Sequence, residues 1–151
     1  VLRTFSKAWG LAGLRVGMAF ASTEVISLFN RVKPPYNISQ IAQEGILTAL
    51  DSAESVGETT ALIVNLRDRL AQSLGALRVV EKVYPSDANF ILVKTEAADR
   101  IYGFLINEGI VVRNRNTVEL CGECLRITVG TEDENQRLLK ALERYEKSIV
   151  Y

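Results

Sequence analysis

Apolar residues recur at helical spacing through the first half of the chain, and the spacing predicts three helices. These run over about Thr23–Val32, from Ser39 to about Leu50, and from near Ser52 to Leu74. Ser22 and Ser39 are residue types favoured at N-caps, and Pro34 ends the first helix because proline cannot continue it. The third helix is predicted to bury a row of leucines before Gly75 ends it: Leu62, Leu66, Leu70 and Leu74.

After Gly75 the pattern changes to short strands separated by turns. The predicted strands are Arg78–Tyr84, Asn89–Lys94, Ile110–Arg113 and Cys124–Val129, with a helix over Ala97–Asn107 between the second and third. Thr131 and Glu134 form a capping-box pattern that opens a last helix, whose apolar face is Leu138, Leu142, Tyr145 and Ile149. Near the start of the chain, Leu14–Ala21 is predicted to form a short buried strand. This order of elements predicts an α/β fold.

Composition then narrows the chemistry. The 151 residues include 18 basic and 18 acidic side chains, a balance that favours neither nucleic acid nor an anionic membrane as a partner. No apolar run approaches the length of a membrane-spanning helix. The chain has no histidine, which excludes a Ser-His-Asp triad or a histidine metal ligand within it. Two cysteines do not make a disulfide framework, so we expect a reducing, cytoplasmic location.

The candidate chemistry lies in the stretch FSKAWGLAGLRVG, Phe5–Gly17. Apolar neighbours predict that Lys7 is largely buried, and desolvation lowers the pKa of an amine, so that it can attack a carbonyl. The Arg15 guanidinium is a planar donor group suited to a phosphate or carboxylate, and Ser6 adds a hydroxyl. Gly10 allows the backbone to approach a ligand closely. An aldehyde cofactor that carries a phosphate would need this combination, although most lysines are simply solvated.

This stretch resembles the lysine motif of the fold type I, class I/II aminotransferases, which use pyridoxal 5'-phosphate. The matching pattern is Ser6-Lys7-x-x-Gly10-Leu11-Ala12-Gly13-Leu14-Arg15-x-Gly17. The resemblance implies that Lys7 is the catalytic residue, which bonds covalently to the cofactor and shuttles a proton. It also implies that Ser6 and Arg15 hold the cofactor phosphate, while the cofactor acts as an electron sink.

Three later segments resemble the small domain of the histidinol-phosphate aminotransferases: Pro85–Lys94, Gly109–Asn116 and Cys124–Asn135. The resemblance implies an anion site in which Arg113 and Arg126 hold the substrate phosphate, and in which Arg126 also holds the glutamate carboxylate. From the strand pattern alone, both arginines would more often face solvent. Arg115 is expected at the surface.

The resemblance implies a C-terminal portion of such an enzyme. Residues 1–50 would end the large cofactor-binding domain, residues 51–75 would form a connecting helix, and residues 76–151 would form a small α/β domain. Family members are more than twice as long. Their N-terminal part supplies a glycine/serine phosphate loop, an aromatic that stacks on the cofactor ring and an aspartate at the pyridine nitrogen. We therefore expect the isolated chain to be inactive.

The implied function is the transaminase of histidine biosynthesis, which exchanges an amino group between L-histidinol phosphate and 2-oxoglutarate or glutamate. The resemblance also implies a cytoplasmic homodimer, in which Tyr36 and Asn37 contribute to the neighbouring subunit's site. Two alternatives stay open. One is another class I/II enzyme: an aromatic or alanine aminotransferase, or a phospho-amino-acid decarboxylase. The other is a non-catalytic piece that serves binding or assembly.

The spacing Cys121-Gly-Glu-Cys124 invites a metal or redox interpretation. A structural zinc site needs about four ligands, and only two cysteines and no histidine are available here. A redox-active pair usually sits at a helix N-terminus, whereas this pair precedes a predicted strand. We therefore expect a turn with two incidental thiols and no metal site.

Overall fold

The computed structural model describes residues 1–149 of the chain. They divide into two compact units, Val1–Thr60 and the residues from Ala61 onward. The boundary falls inside one long helix, α3, which spans Ala53–Gly75. The finer division into a large-domain end, a connecting helix and a small domain stays a prediction.

The first unit is a small hairpin followed by helices. Strands β1 (Leu2–Thr4) and β2 (Gly17–Ala19) pair antiparallel, and a single 3-10 turn, Ala12–Leu14, lies in the loop between them. Helices α1 (Thr23–Val32) and α2 (Gln40–Leu50) follow, at the bounds that the sequence predicts. The buried apolar residues of this unit form one small cluster: Phe5, Val16 and Ala42.

The second unit is a four-stranded antiparallel sheet with the order β3-β4-β6-β5. The strands are β3 (Val80–Val83), β4 (Phe90–Thr95), β5 (Arg113–Asn114) and β6 (Cys124–Thr128). The helices are α4 (Ala98–Asn107) and α5 (Glu132–Ile149). The main core lies in this unit, which explains why its elements match the predicted order closely.

Alternation along the strands divides the sheet into a core face and an outer face. Ile91 and Val93 of β4, and Leu125 and Ile127 of β6, are each at most 2% exposed and pack with residues of α4 and α5. Since neighbouring residues on a strand point to opposite faces, the residues between them lie on the other side of the sheet. We call this side the outer face, and it carries Phe90, Leu92, Arg113 and Arg126.

Local capping fixes two helix starts as expected. The Ser39 Oγ accepts a hydrogen bond from the Ala42 N–H (3.2 Å) at the start of α2. The Thr131 N–H donates to the Glu134 Oε2 (2.7 Å), and the Glu134 N–H donates to the Thr131 Oγ1 (3.3 Å). The Thr131 hydroxyl also donates to the Glu134 Oε2 (3.0 Å), and the two hydrogen bonds from the Thr131 N–H and hydroxyl lower the pKa of the Glu134 carboxyl. Ser22 stands at the N-cap of α1 but makes no capping bond through its side chain.

Four expectations are wrong in detail. The predicted buried strand Leu14–Ala21 is only the three-residue β2, and none of the residues of β2 is buried. The strand expected over Ile110–Arg113 is paired only at Arg113 and Asn114. Leu62 and Ile149 continue apolar rows of their helices but are 58% and 51% exposed, because each lies beyond the part of its helix that meets the core.

Among the described residues, no helix combines the length and the apolar content that crossing a bilayer requires.

Candidate active site

The loop between β1 and β2 holds the first group of candidate residues. The Phe5 N–H donates to the Val16 carbonyl oxygen (3.4 Å), which closes the loop above the hairpin. Gly10 has a φ of +67°, a value that favours glycine, and its N–H donates to the Lys7 carbonyl oxygen (2.9 Å). Gly17 is needed for a different reason, because a Cβ there would lie 3.0 Å from the Arg3 carbonyl oxygen.

Lys7 lies in this loop with an exposed side chain. The expected burial of the segment is therefore wrong for Lys7 and Ala8. Within Phe5–Gly17 only Phe5, which is 4% exposed, and Val16 are buried. Phe5 packs edge-on against the half-buried Trp9, with 5.6 Å between ring centroids. The apolar neighbours bury one another and leave the amine accessible. The Lys7 side chain makes no hydrogen bond or ion pair with the described residues.

Ser6 and Arg15 lie in the same loop and provide the other donors. The Ser6 Oγ accepts a hydrogen bond from the Thr4 Oγ1 (2.8 Å), which leaves its own hydrogen for another acceptor. Arg15 has a φ of +57°, uncommon for a residue with a side chain, and its Nη1 donates to the Ala12 carbonyl oxygen (2.9 Å). Its other guanidinium hydrogens are available. An amine, a hydroxyl and a guanidinium suit a ligand that carries an aldehyde and a phosphate.

The second group of candidates lies in the other unit, at the centre of its sheet. Arg126 is half-buried on the outer face, between the buried Leu125 and Ile127. Its Cζ lies 4.8 Å from the centroid of the Phe90 ring, a favourable cation–π contact. Its Nε is buried and has no hydrogen-bond partner among the described residues. Leaving a buried donor without an acceptor costs free energy, so an acceptor from outside the described residues would stabilise Arg126.

Arg113 lies directly opposite Arg126 in the register of β5 and β6, so both side chains leave the same face of the sheet. Like charges in this arrangement repel each other. Within the described residues, neither arginine has a carboxylate at ion-pair distance. The sheet contains a second such pair, Lys82 opposite Lys94, but there the Lys94 Nζ lies 2.8 Å from the Glu81 Oε2. The arginine pair is therefore the one suited to an anionic ligand.

Tyr36 and Asn37 follow the two prolines after α1. Tyr36 is 98% exposed and has a φ of +57°, and Asn37 is exposed as well. Nothing in the described chain covers the Tyr36 ring, and the proposed contribution of both residues across a subunit interface stays a prediction.

The expected turn lies between the two cysteines, at Gly122 and Glu123, and Cys124 is the first residue of β6. The Cys124 N–H donates to the Cys121 carbonyl oxygen (3.1 Å), and burial raises the pKa of the Cys124 thiol. A raised thiol pKa opposes thiolate chemistry at neutral pH. In residues 1–149, no group of three potential metal ligands from His, Cys, Asp and Glu comes together.

Sequence reasoning missed two features of the arginine site. One is Phe90, whose position next to the buried Ile91 would have placed it on the same face as Arg126. The other is a set of hydrogen bonds from Asn114 and Asn116 to Asp99. The alternation Arg-Asn-Arg-Asn at 113–116 was the available signal. Arg115, expected at the surface, is half-buried.

Comparisons with known proteins identify the family of this chain. The sequence pattern of the family described as aminotransferase class I and II matches residues 1–142. The histidinol-phosphate aminotransferase of Cytophaga hutchinsonii is 48% identical over 145 residues, which are 96% of this chain and 42% of that protein. The chain thus spans less than half the length of the curated relatives it matches.

Two solved structures agree with the predicted fold. The histidinol-phosphate aminotransferase of Clostridium acetobutylicum superposes with a TM-score of 0.88 at 24% identity, over 97% of this chain and 45% of that one. The enzyme of the same name from Sinorhizobium meliloti, solved in complex with pyridoxal-5'-phosphate, gives 0.78 at 28% identity, over 98% and 41%. The α/β fold and the resemblance drawn from the motifs are confirmed. The chain belongs to the class I and II aminotransferases.

Proposed function

We propose that the full-length protein is a pyridoxal-phosphate-dependent transaminase that exchanges an amino group between L-histidinol phosphate and 2-oxoglutarate. The amine-bearing carbon of histidinol phosphate becomes a ketone, and 2-oxoglutarate becomes glutamate. The observation that carries the substrate assignment is the pair Arg113 and Arg126, which lie opposite each other and have no carboxylate partner within residues 1–149. The names of the relatives support the same assignment.

The donors of the hairpin loop fit the cofactor that the family implies. Ser6 and Arg15 would hold its phosphate, and Lys7 is an accessible amine for its aldehyde. When bound, pyridoxal phosphate supplies an electron sink for the bond broken at the substrate carbon. The Lys7 nitrogen would take the proton from the amine-bearing carbon of the substrate and deliver it to the carbon that carries the cofactor's aldehyde. The exposure of Lys7 supports this role, because the amine must reach both the cofactor and the substrate.

The arginines of the sheet would bind and orient the substrate. A phosphate carries close to two negative charges and calls for more than one cationic partner when it leaves water. The buried Nε of Arg126 has no acceptor among the residues that the structure describes, and its guanidinium lies over the Phe90 ring. Arg113 adds the second charge from the neighbouring strand. Glutamate, with a carboxylate in place of the phosphate, would need Arg126 alone.

The proposal includes a homodimer located in the cytoplasm. The exposed Tyr36 and Asn37 would contribute to the site of the neighbouring subunit. Their exposure in the single chain supports this, because aromatic side chains tend to be covered in the finished assembly.

An amino-transfer assay on the purified full-length protein tests the substrate. We expect glutamate to form from histidinol phosphate and 2-oxoglutarate, with kcat/KM at least about 100-fold lower for histidinol, which lacks the phosphate and its two charged contacts. L-Alanine and L-phenylalanine serve as matched amino donors, and carbon dioxide release from a phosphorylated amino acid tests for a decarboxylase. Faster turnover of any of these than of histidinol phosphate contradicts the proposed substrate.

The isolated 151-residue chain is expected to bind pyridoxal phosphate weakly and to show no measurable transamination. It retains Ser6, Lys7 and Arg15 but lacks the other phosphate contacts and the pyridine partner that the family's N-terminal part provides. A visible-absorption titration and an assay free of host enzymes measure both properties. Turnover by the purified chain would overturn this expectation.

The isolated chain is also expected to self-associate, although not through Phe5, which is buried. Other exposed apolar side chains of the first unit take its place, including Phe29 (45% exposed) and Val32 (80% exposed) of α1.

A further inference from the structure

Three polar side chains join the edge strand β5 to the start of α4. The Asn114 Nδ2 donates to the Asp99 Oδ1 (2.6 Å), and the Asn116 Nδ2 donates to the Asp99 Oδ2 (3.1 Å). The Asn116 N–H donates in turn to the Asn114 Oδ1 (2.8 Å). Both carboxylate oxygens of Asp99 are thus used, and the three residues form a closed set of hydrogen bonds. We call Asp99, Asn114 and Asn116 the clamp.

The clamp is anchored to the rest of the unit through Glu123. The Asn116 Oδ1 accepts from the Glu123 N–H (2.9 Å), and the Glu123 Oε2 accepts from the Ala98 N–H at the start of α4 (2.7 Å). The Glu123 carbonyl oxygen accepts from the Thr95 N–H (2.8 Å). Glu123 holds a φ of +56°, a conformation that persists only where surrounding contacts determine it. The loop between β5 and β6 is therefore fixed at both of its ends.

Strand β5 needs such support because little else holds it. Its ladder pairs only Arg113 with Arg126 and Asn114 with Leu125, and the Arg115 N–H adds one bond to the Cys124 carbonyl oxygen (2.9 Å). Val111, just before the strand, is 80% exposed. Short edge segments with few contacts open easily. The repulsion between the two arginines acts at this weakly held edge and pushes Arg113 away from Arg126.

We propose that Asp99, Asn114 and Asn116 are positioning residues that hold Arg113 opposite Arg126, so that the two guanidinium groups are in place before a phosphate arrives. The inference rests on the proposed anion site. Arg113 and Asn114 are consecutive on a strand, so their side chains leave opposite faces. Asp99 therefore acts on Arg113 through the backbone of β5. Pre-organisation of this kind raises affinity because the ligand does not have to order the strand.

Whether D99N strengthens or weakens phosphate binding distinguishes a positioning role of Asp99 from a purely electrostatic one. Asp99 is an anion in the same unit as the phosphate site. If only its charge mattered, D99N would strengthen phosphate binding by removing a negative charge. If Asp99 positions Arg113, D99N weakens binding, because an amide in its place offers one oxygen where two are used.

The exchange variant D99N/N114D provides the matched rescue. In this variant the amide at position 99 would donate its Nδ2 to the carboxylate at position 114 and accept from the Asn116 Nδ2 with its Oδ1. The Asn116 N–H would again find an oxygen on the side chain at position 114. All three bonds of the clamp are retained with one of them reversed, and the net charge is unchanged. D87N, at an exposed aspartate in the turn before β4, is the control for loss of one charge.

The experiment uses the full-length enzyme with pyridoxal phosphate, and inorganic phosphate as a competitive inhibitor against histidinol phosphate. For D99N we expect the inhibition constant of phosphate and the KM for histidinol phosphate to rise about tenfold or more, with the single-turnover rate with glutamate within about twofold of wild type. The exchange variant is expected within about threefold of wild type in all of these constants, and D87N should be indistinguishable from wild type.

Each other result contradicts the clamp. If D99N binds phosphate as tightly as D87N does, or more tightly, the clamp is overturned and the proposed substrate is not, because the anion site would then exist without the clamp. An equal loss with glutamate and histidinol phosphate overturns it too, since that indicates a general loss of structure. The clamp is also overturned if D99N/N114D binds phosphate as weakly as D99N does. A wild-type enzyme that phosphate does not inhibit, and that uses histidinol equally well, overturns the proposed substrate and the clamp with it.

Discussion

Replacing Lys7 by alanine in the full-length enzyme is expected to reduce turnover by about 10²–10⁴-fold or more, the usual contribution of a positioned acid–base group. The loss would be larger than that of any other single side chain in this sequence, because Lys7 has two roles in the proposed reaction. It holds the cofactor covalently, and it moves the proton at the reacting carbon. No other amine lies in the hairpin loop between β1 and β2.

Borohydride reduction of the wild-type enzyme provides an independent measurement. It is expected to fix the cofactor to the peptide that contains Lys7, and Lys7→Ala should lose both this label and the visible absorption of the bound cofactor. Lys140→Ala, at an exposed position on α5, is the matched control and should retain the label and full turnover. Peptide mapping that places the reduced cofactor on another lysine would rule out the assignment.

The bounds of the helices were predictable because their signals are local. Ser39, the proline pair after α1, and Thr131 with Glu134 act on backbone groups within a few residues, and the structure ends or begins helices at these places. The strands β4 and β6 were predictable for a related reason. In β4 every second residue is buried, and β6 follows the same alternation from Leu125 to Thr128, so the apolar alternation in the sequence matches the core face of the sheet.

Burial at the start of the chain was not predictable from neighbouring residues. Phe5 and Trp9 pack against each other within the loop, so these apolar neighbours do not cover Lys7. The Lys7 amine therefore remains exposed to solvent. The predicted strand Leu14–Ala21 contains the buried Val16, but only Gly17–Ala19 pair with β1. How much of an apolar segment is paired or covered depends on distant residues, which a local pattern does not contain.

The candidate site likewise has one part that the local sequence predicts and another that depends on distant contacts. The lysine motif is contiguous, so its residues could be named from the sequence. The opposition of Arg113 and Arg126 depends on the register between β5 and β6, and β5 is too short for its bounds to be read from a pattern. The clamp depends on a contact between Asp99 and residues about fifteen positions later. Such long-range polar pairs become visible only when the register of the sheet is known.

Removing the two arginines one at a time in the full-length enzyme is expected to separate its two half-reactions. Arg126→Ala should impair both, because Arg126 would contact the substrate phosphate and the glutamate carboxylate alike. Arg113→Ala should mainly impair the half-reaction with histidinol phosphate. Loss of a charge-assisted contact to a desolvated anion amounts to about 1.5–3 kcal/mol, or roughly ten- to over a hundredfold in kcat/KM. Single-turnover kinetics with each substrate measures both effects.

Two further variants sharpen this comparison. Arg126→Lys keeps the charge but loses the planar donor group and its stacking on Phe90, so it should recover only part of the loss, and more with glutamate than with the phosphate. Arg78→Ala, at an exposed arginine before β3, should leave both half-reactions unchanged. If Arg113→Ala slowed both substrates equally, Arg113 would not select for phosphate. The buried Nε of Arg126, which has no partner in the described part of the chain, would then mark a site for a carboxylate, and an ordinary amino acid would replace histidinol phosphate as the expected substrate.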